Sequence, residues 1–320
     1  MELKFGVVGS GQRPAGMPDG GFFRSFAQQA ESLGFDSLWT TDHISFVNPI
    51  LEGIVALSAF AGCTERISLG TGIYLLPLRH PSAVAKQVAS LDHLSKGRVI
   101  FGIGVGGDGE KDFEAVQVPV DERGARMNEA ILALRALWRD VPASFAGKHY
   151  AFEGVTIAPA PIQPGGPPIV VGGRSEAALR RAGTLADGWL AYMVSPERFS
   201  MDFSKVSEHA HAAGRSSNDL WAGIVLPTYV NDDDELADRV VREHLTRRYG
   251  RPFEDHHVER YALAGSPARV RARLAEYAAA GARHIVFNSA GPGDTDFDEL
   301  DILAAGVVRP LRAQVSANPR

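Results

Sequence analysis

The chain is poor in cysteine: Cys63 is the one such residue in 320. A single thiol excludes an internal disulfide and fits a reducing compartment, and we expect it as filler on an apolar helix face. No apolar run reaches the ~18 residues that a membrane span needs. Neither charge sign dominates. Lys and Arg total 33 against 38 Asp and Glu, a formal net charge of -5, which leaves no basic footprint for nucleic acid or an anionic membrane. MELKFGVV runs directly into a strand pattern without a signal-peptide layout, so a cytoplasmic protein is expected. There is no G-x-S-x-G elbow, no G-x-x-x-x-G-K-[ST] loop and no short fixed repeat. His209/His211 and His256/His257 lack the spacing that would put two ligands on one helix face, and no metal site is expected.

What the chain has is material for a large core: 45% of its residues are hydrophobic and 22% charged. The stretch from Ile67 to Asp108 organises the rest. ISLGTGIY reads as a buried strand with a local distortion at its glycines. Val84, Val88, Leu91 and Leu94 form one apolar stripe of a helix, which Ser95-Lys96-Gly97 closes, and RVIFGIGVG is a second buried strand. Two such strands joined by a helix make a parallel βαβ unit with a right-handed crossover.

The same rhythm runs along the chain. Strands are expected at Leu3–Val8, Phe35–Trp39, Pro168–Gly172, Gly188–Tyr192, Trp221–Val230 and Arg283–Asn288. Helices are expected up to Leu33, over Pro49–Cys63, along Met127, Ile131, Leu134 and Trp138, over Arg174–Leu185, from Ser195, over Asp233–Tyr249 and Ser266–Ala280, and along Leu300, Leu303, Val307 and Leu311. After Asp108 a polar loop is expected. Clustered Pro and Gly make about 145–168 a hairpin and loop insertion, and about 232–282 carries an extra helical segment. Eight strands, each followed by a helical pattern, make an α/β fold: a single (β/α)8 TIM barrel with insertions over 1–315 and a frayed tail at 316–320. Two doubly wound domains split near Pro142–Gly166 are the alternative.

The candidate site residues sit where the strands end. Asp42 and His43 close the second strand, and histidine titrates near neutral pH, where an adjacent carboxylate can orient it. As neighbours on a strand they point to opposite faces and need not touch. Gly72-Ile73 is a place for an irregular backbone inside strand three. Gly102-Ile103-Gly104-Val105-Gly106-Gly107 satisfies G-x-G-x-x-G, but it leads into Asp108 and a polar stretch instead of a helix. A barrel mouth kept narrow for a flat ligand is the better reading than a nicotinamide fold. Gly172-Gly173-Arg174-Ser175 combines helix-start N–H groups, a hydroxyl and a guanidinium, which suits a phosphate.

SLGFDSLWTTDH, the ISLGTGI to LSKGRVIFGIGVGG block, VDERGARMNE and VVGGRSEAALRRAGTLADGW together resemble the bacterial-luciferase-like family of flavin-dependent oxidoreductases. The resemblance covers roughly Phe5 to Tyr192, with a weaker echo in AGSPARVRARLAEYAAAGA. It implies a TIM barrel, often a homodimer, binding FMN or coenzyme F420 at the carboxyl ends of the strands. On it, Asp42 and His43 lie beside the ring, and Gly72-Ile73 is a bulge with a cis peptide supporting the ring. Gly104 and Gly106 follow the cofactor's edge. Gly172, Gly173 and Ser175 hold the phosphate with Arg174 as an added donor, and Tyr192 reaches the phosphate side. Gly107 stands where some members place an acid, with Asp108 next. A lysine found after strand six in one dehydrogenase branch is replaced by Met193-Val194-Ser195, against a glucose-6-phosphate type. The resemblance leans toward F420 and hydride transfer to a small organic substrate. The alternatives are an FMN-dependent monooxygenase served by a partner flavin reductase, and a flavin-binding protein without turnover. Substrate choice is expected from the loops at Gly9–Gly21 and Phe145–Pro168 and from the segment after strand seven.

Overall fold

In the computed structural model, the described residues are 3–9, 19–46, 48–107, 109–293 and 296–317. The chain runs β1 (Lys4–Val8), α1 (Gly20–Ser32), β2 (Ser37–Thr40), α2 (Gly53–Ala61), β3 (Ser68–Thr71), β4 (Tyr74–Leu75), α3 (Pro81–Leu94), β5 (Val99–Gly104), α4 (Glu110–Ala115) and α5 (Arg123–Arg139). It continues through β6 (Ala143–Ala146), β7 (Ala151–Val155), β8 (Ile169–Gly172), α6 (Glu176–Leu185), β9 (Gly188–Tyr192), α7 (Pro196–Ala212) and β10 (Trp221–Val230). The last part is α8 (Asp234–Tyr249), α9 (Asp255–Tyr261), β11 (Leu263–Gly265), α10 (Pro267–Ala279), β12 (His284–Ser289), α11 (Asp296–Ile302) and α12 (Arg309–Ala317).

Parallel pairing runs β12-β1-β2-β3-β5-β8-β9-β10, and β10 returns to β12, which closes a (β/α)8 barrel. β4 continues β3 beyond an interruption and pairs with β5, and β11 adds to the end of β10. Trp39, Val170, Leu190, Val225 and Val286 fill the barrel interior, while the larger core lies between the strands and the outer helices. A separate cluster, including Met193, Val241, Leu245, Phe253 and Ala290, packs α8 and α9 over the rim near β9 and β12.

Local chemistry explains the boundaries. Asp19 caps α1 by accepting from Phe22 N at 2.9 Å, and Ser195 caps α7 ahead of Pro196 at its first position. α3 ends at Leu94, and the chain turns through left-handed Lys96 and Gly97.

Several expectations change. The polar stretch after Asp108 contains α4, and α9 and β11 interrupt the helical segment after β10; all three are too short for periodicity to register. α2 begins at Gly53, four residues after Pro49, and Cys63 lies beyond its end, half-buried, with Sγ against Phe60 O at 3.4 Å. The insertion is a β6–β7 hairpin that starts at Ala143. Its tip is held by the Glu129 carboxylate, which accepts from the N–H groups of Lys148, His149 and Tyr150 at 3.0, 2.7 and 3.2 Å. Further on, Gln163 bonds Asp92 of α3 at 2.9 and 2.8 Å. The segment therefore packs along the outside of α3 and α5. Among the described residues no helix is long and apolar enough to cross a membrane.

Candidate active site

β2 delivers Thr40 to the carboxyl rim, and the chain leaves it through Asp42 and His43. The two side chains separate at once. Asp42 is buried, with both oxygens committed: Arg79 Nη1 donates to Oδ2 at 2.6 Å, Arg79 Nη2 to Oδ1 at 2.8 Å, and Leu75 N to Oδ2 at 3.0 Å. The Arg79 guanidinium also covers the Tyr74 ring at 4.2 Å. Burial pushes the Tyr74 phenol far above its usual range, so it stays neutral. Asp42 is thus a tie between β2 and the segment after β4; it is not the carboxylate that orients His43.

That carboxylate is Asp112 of α4. His43 Nδ1 lies 2.7 Å from Asp112 Oδ2, with side chains 13% and 2% exposed. Asp112 Oδ1 accepts from both Ile44 N and Ser45 N at 2.7 Å. With those two N–H groups bound, the carboxylate faces the ring as an acceptor, and Nδ1 carries the proton it donates. Phe46 stacks on the His43 ring at 4.2 Å with a 10° interplanar angle. The Arg248 guanidinium of α8 stands 5.5 Å from the Phe46 ring.

Beside this pair the Gly72-Ile73 peptide is cis, as the resemblance implied, and it separates β3 from β4. The glycines near it divide into two kinds. A Cβ on Gly104 would overlap Ile73 Cδ1, and one on Gly172 would stand 2.7 Å from Ile73 Cγ2. Those two glycines make room for the protein's own Ile73 side chain. Gly106 takes a left-handed φ of 72° against Phe113, and Gly107 has open space where a side chain would project. Asp108 lies outside the described residues, as do residues 10–18 of the first expected substrate loop.

Across the rim, Gly173 (φ 117°), Arg174 and Ser175 are exposed at the start of α6. Ser175 Oγ accepts from Ala178 N at 3.3 Å as the helix cap, and Arg174 Nη1 donates to Met193 O at 3.3 Å. Gly173 O accepts from Trp189 Nε1 at 2.6 Å. The first acid of α6, Glu176, is turned to α7, where Lys205 and His209 bind it at 3.0 and 2.9 Å. The helix start is left to N–H groups without intrahelical partners, a donor set that suits a phosphate. Tyr192 ends β9 and packs with Met193 beneath α8. An open glycine edge next to His43 and an exposed helix start opposite fit a flat ring with a phosphate-bearing tail.

Asp112 escaped the sequence because it stands 69 residues from His43. The available signal was Phe113: a large apolar residue, 2% exposed, inside what reads as a polar loop. It marks a turn of structure that aims its neighbour inward.

A parallel barrel with a histidine–carboxylate pair and a glycine–serine helix start at its carboxyl rim has the layout of barrel enzymes, whose chemistry sits at that face. The chain belongs to the luciferase-like monooxygenase family, whose model matches residues 3–284. An F420-dependent glucose-6-phosphate dehydrogenase of Kineococcus radiotolerans is 27% identical to it over 336 aligned positions, 97% of each chain. Among solved structures, the monooxygenase RslO1 of Streptomyces bottropensis superposes with a TM-score of 0.82 at 25% identity, over 97% of this chain and 100% of its own. The F420-dependent tetrahydromethanopterin reductase of Methanopyrus kandleri shares the fold, with a TM-score of 0.81 at 20% identity over 97% and 99% of the two chains.

Proposed function

We propose that the protein is an F420-dependent oxidoreductase acting on a small organic substrate, with His43 as its proton-handling group. The observation that carries this reading is the His43–Asp112 pair beside the open edge at Gly107. Asp112 holds Nδ1, which leaves Nε2 as the nitrogen that gives or takes a proton. Phe46 keeps water from one face of the imidazole, and the two backbone N–H bonds to Asp112 fix the loop that carries it. Gly173, Arg174 and Ser175 would hold a phosphate, and Gly106 and Gly107 would let a flat ring approach the backbone. The bound coenzyme supplies the hydride chemistry; the chain supplies placement, exclusion of water and the proton. The reading includes one barrel unit over 1–315, a homodimer and a cytoplasmic location.

The likeness to RslO1, a monooxygenase, favours a second reading: an FMN-dependent, oxygen-using enzyme with a partner flavin reductase. A side-by-side fluorescence titration of the purified protein with F420 and with FMN separates them. Tight binding of F420 alone supports the proposal, and tight binding of FMN alone replaces it with the monooxygenase. If neither binds, both fall.

A further inference from the structure

α4 cannot hold itself in place. It has 6 residues, Gly109 precedes it, and no side chain caps its start. A helix so short has too few internal bonds to persist in water on its own. Left-handed backbone flanks it, Gly106 at φ 72° before and Gln117 at φ 57° after. Glu110, Lys111, Glu114 and Ala115 are exposed, and the side chains it buries are Asp112 and Phe113, at 1% and 2% exposure. Neighbours on a helix do not share a face. Asp112 turns to His43 and to the N–H groups of Ile44 and Ser45, which ties α4 to the loop after β2. Phe113 turns to the barrel, into a cluster with Leu75 and Leu78 backed by Val116 and Val118. Its ring lies against Gly106, where a Cβ would stand 3.3 Å from Phe113 Cε2 and 3.6 Å from Leu75 Cδ2.

We propose that Phe113 is a positioning residue for proton transfer: its ring seats α4 on Leu75, Leu78 and Gly106, and that seat puts the Asp112 carboxylate where it holds the His43 proton on Nδ1. Burying a phenylalanine outweighs an exposed ion pair such as Lys111–Glu114, so the apolar contact decides where the short helix sits. Without the ring, α4 pivots about its left-handed flanks and carries Asp112 with it. The tautomer follows from the seat, because the bond a histidine makes at one ring nitrogen decides which nitrogen is protonated. A displaced Asp112 releases Nδ1–H, the proton moves to Nε2 in a growing share of molecules, and Nε2 then has no lone pair with which to accept another. The inference rests on the reading of His43 as proton carrier for its meaning in catalysis, and not for the seat itself.

The test is isotope-edited NMR of the imidazole nitrogens in the full chain, at a pH above the ordinary histidine range of about 6.5, with His43→Ala identifying the signal. The parent is expected to carry the His43 proton on Nδ1. Phe113→Ala should shift the tautomer ratio toward Nε2–H by about tenfold, the worth of one hydrogen bond to a charged group, and Phe113→Leu, which refills the seat, should stay within about threefold of the parent. Leu78→Ala empties the seat from the other side, leaves the sequence of α4 intact and should shift the ratio the same way. Thermal melts establish that the variants are folded. A folded Phe113→Ala with the parent's tautomer overturns the inference, and so does an unchanged tautomer in Leu78→Ala where Phe113→Ala does not fold. A parent with the proton on Nε2 overturns the His43–Asp112 pair and the seat with it. The expected shifts in a chain that binds neither F420 nor FMN overturn the oxidoreductase reading and leave the seat standing.

Discussion

The barrel holds a paired histidine at each end, and the two pairs differ in what surrounds them. At the carboxyl rim, His43 leans on an acid and keeps an edge toward the open mouth. At the opposite end, His284 opens β12, only 4% exposed, with Nε2 2.6 Å from Ser37 Oγ, which also accepts from Trp39 Nε1 at 2.7 Å. Trp39 and Trp221 close around that ring at 5.7 and 5.1 Å. Burial, helped slightly by the Lys4 ammonium, holds His284 down at about 3, so it folds as a neutral core residue. A hydroxyl partner in a sealed layer makes a histidine a stability element. A carboxylate partner at a strand's carboxyl end makes one available for proton transfer.

The sharpest tests remove His43 and, at the neighbouring residue, the partner of Asp42. His43→Ala should lower kcat/KM by about 10²- to 10⁴-fold and leave the melting temperature near that of the parent; steady-state kinetics with the cofactor that binds checks it. Arg79→Ala should do the reverse. It strands the buried Asp42 carboxylate and should cost about 3–5 kcal/mol in urea unfolding, so stability hangs on Asp42 while activity hangs on the residue beside it.

Acid should separate the two ends next. The unfolded chain titrates His284 near 6.5 and the folded chain near 3, so between those values the unfolded state binds the extra proton. The stability this group contributes is present above pH 6.5 and is lost as pH falls, by about 1.4 kcal/mol per unit. Replacing His284 with Gln should flatten that part of the urea midpoint profile between pH 7 and 4. The smallest effect expected is at the phosphate cradle. Ser175→Ala should weaken binding of the phosphate-bearing cofactor by about threefold and spare riboflavin, as fluorescence titration would read.

The barrel itself was legible. β9 and β10 fall on the residues expected, because glycine or tryptophan opens each and a continuous apolar run follows. His43 and Asp42 were legible as rim residues but not as members of different pairs, since a strand end fixes position and leaves the partner open. Asp112 and Arg79 come from elsewhere in the chain, and pairings over such separations leave no periodic trace. The insertion's composition announced a hairpin, but its side of the barrel depends on Glu129 and Asp92, which read as ordinary surface acids of two helices. Glycine spacing pointed to the rim yet could not tell space reserved for a ligand from space taken by Ile73.

That last point reaches beyond this chain's own chemistry. Ile73 is borne on the segment joining β3 to β4, Gly104 closes β5 and Gly172 closes β8, so one branched side chain spans three neighbouring strands. The three positions are tied sterically, so what one of them carries limits what the other two can accept. A lineage that shortens the isoleucine frees both glycines to acquire a methyl group, and one that keeps it holds both glycines fixed, whatever molecule lies above them.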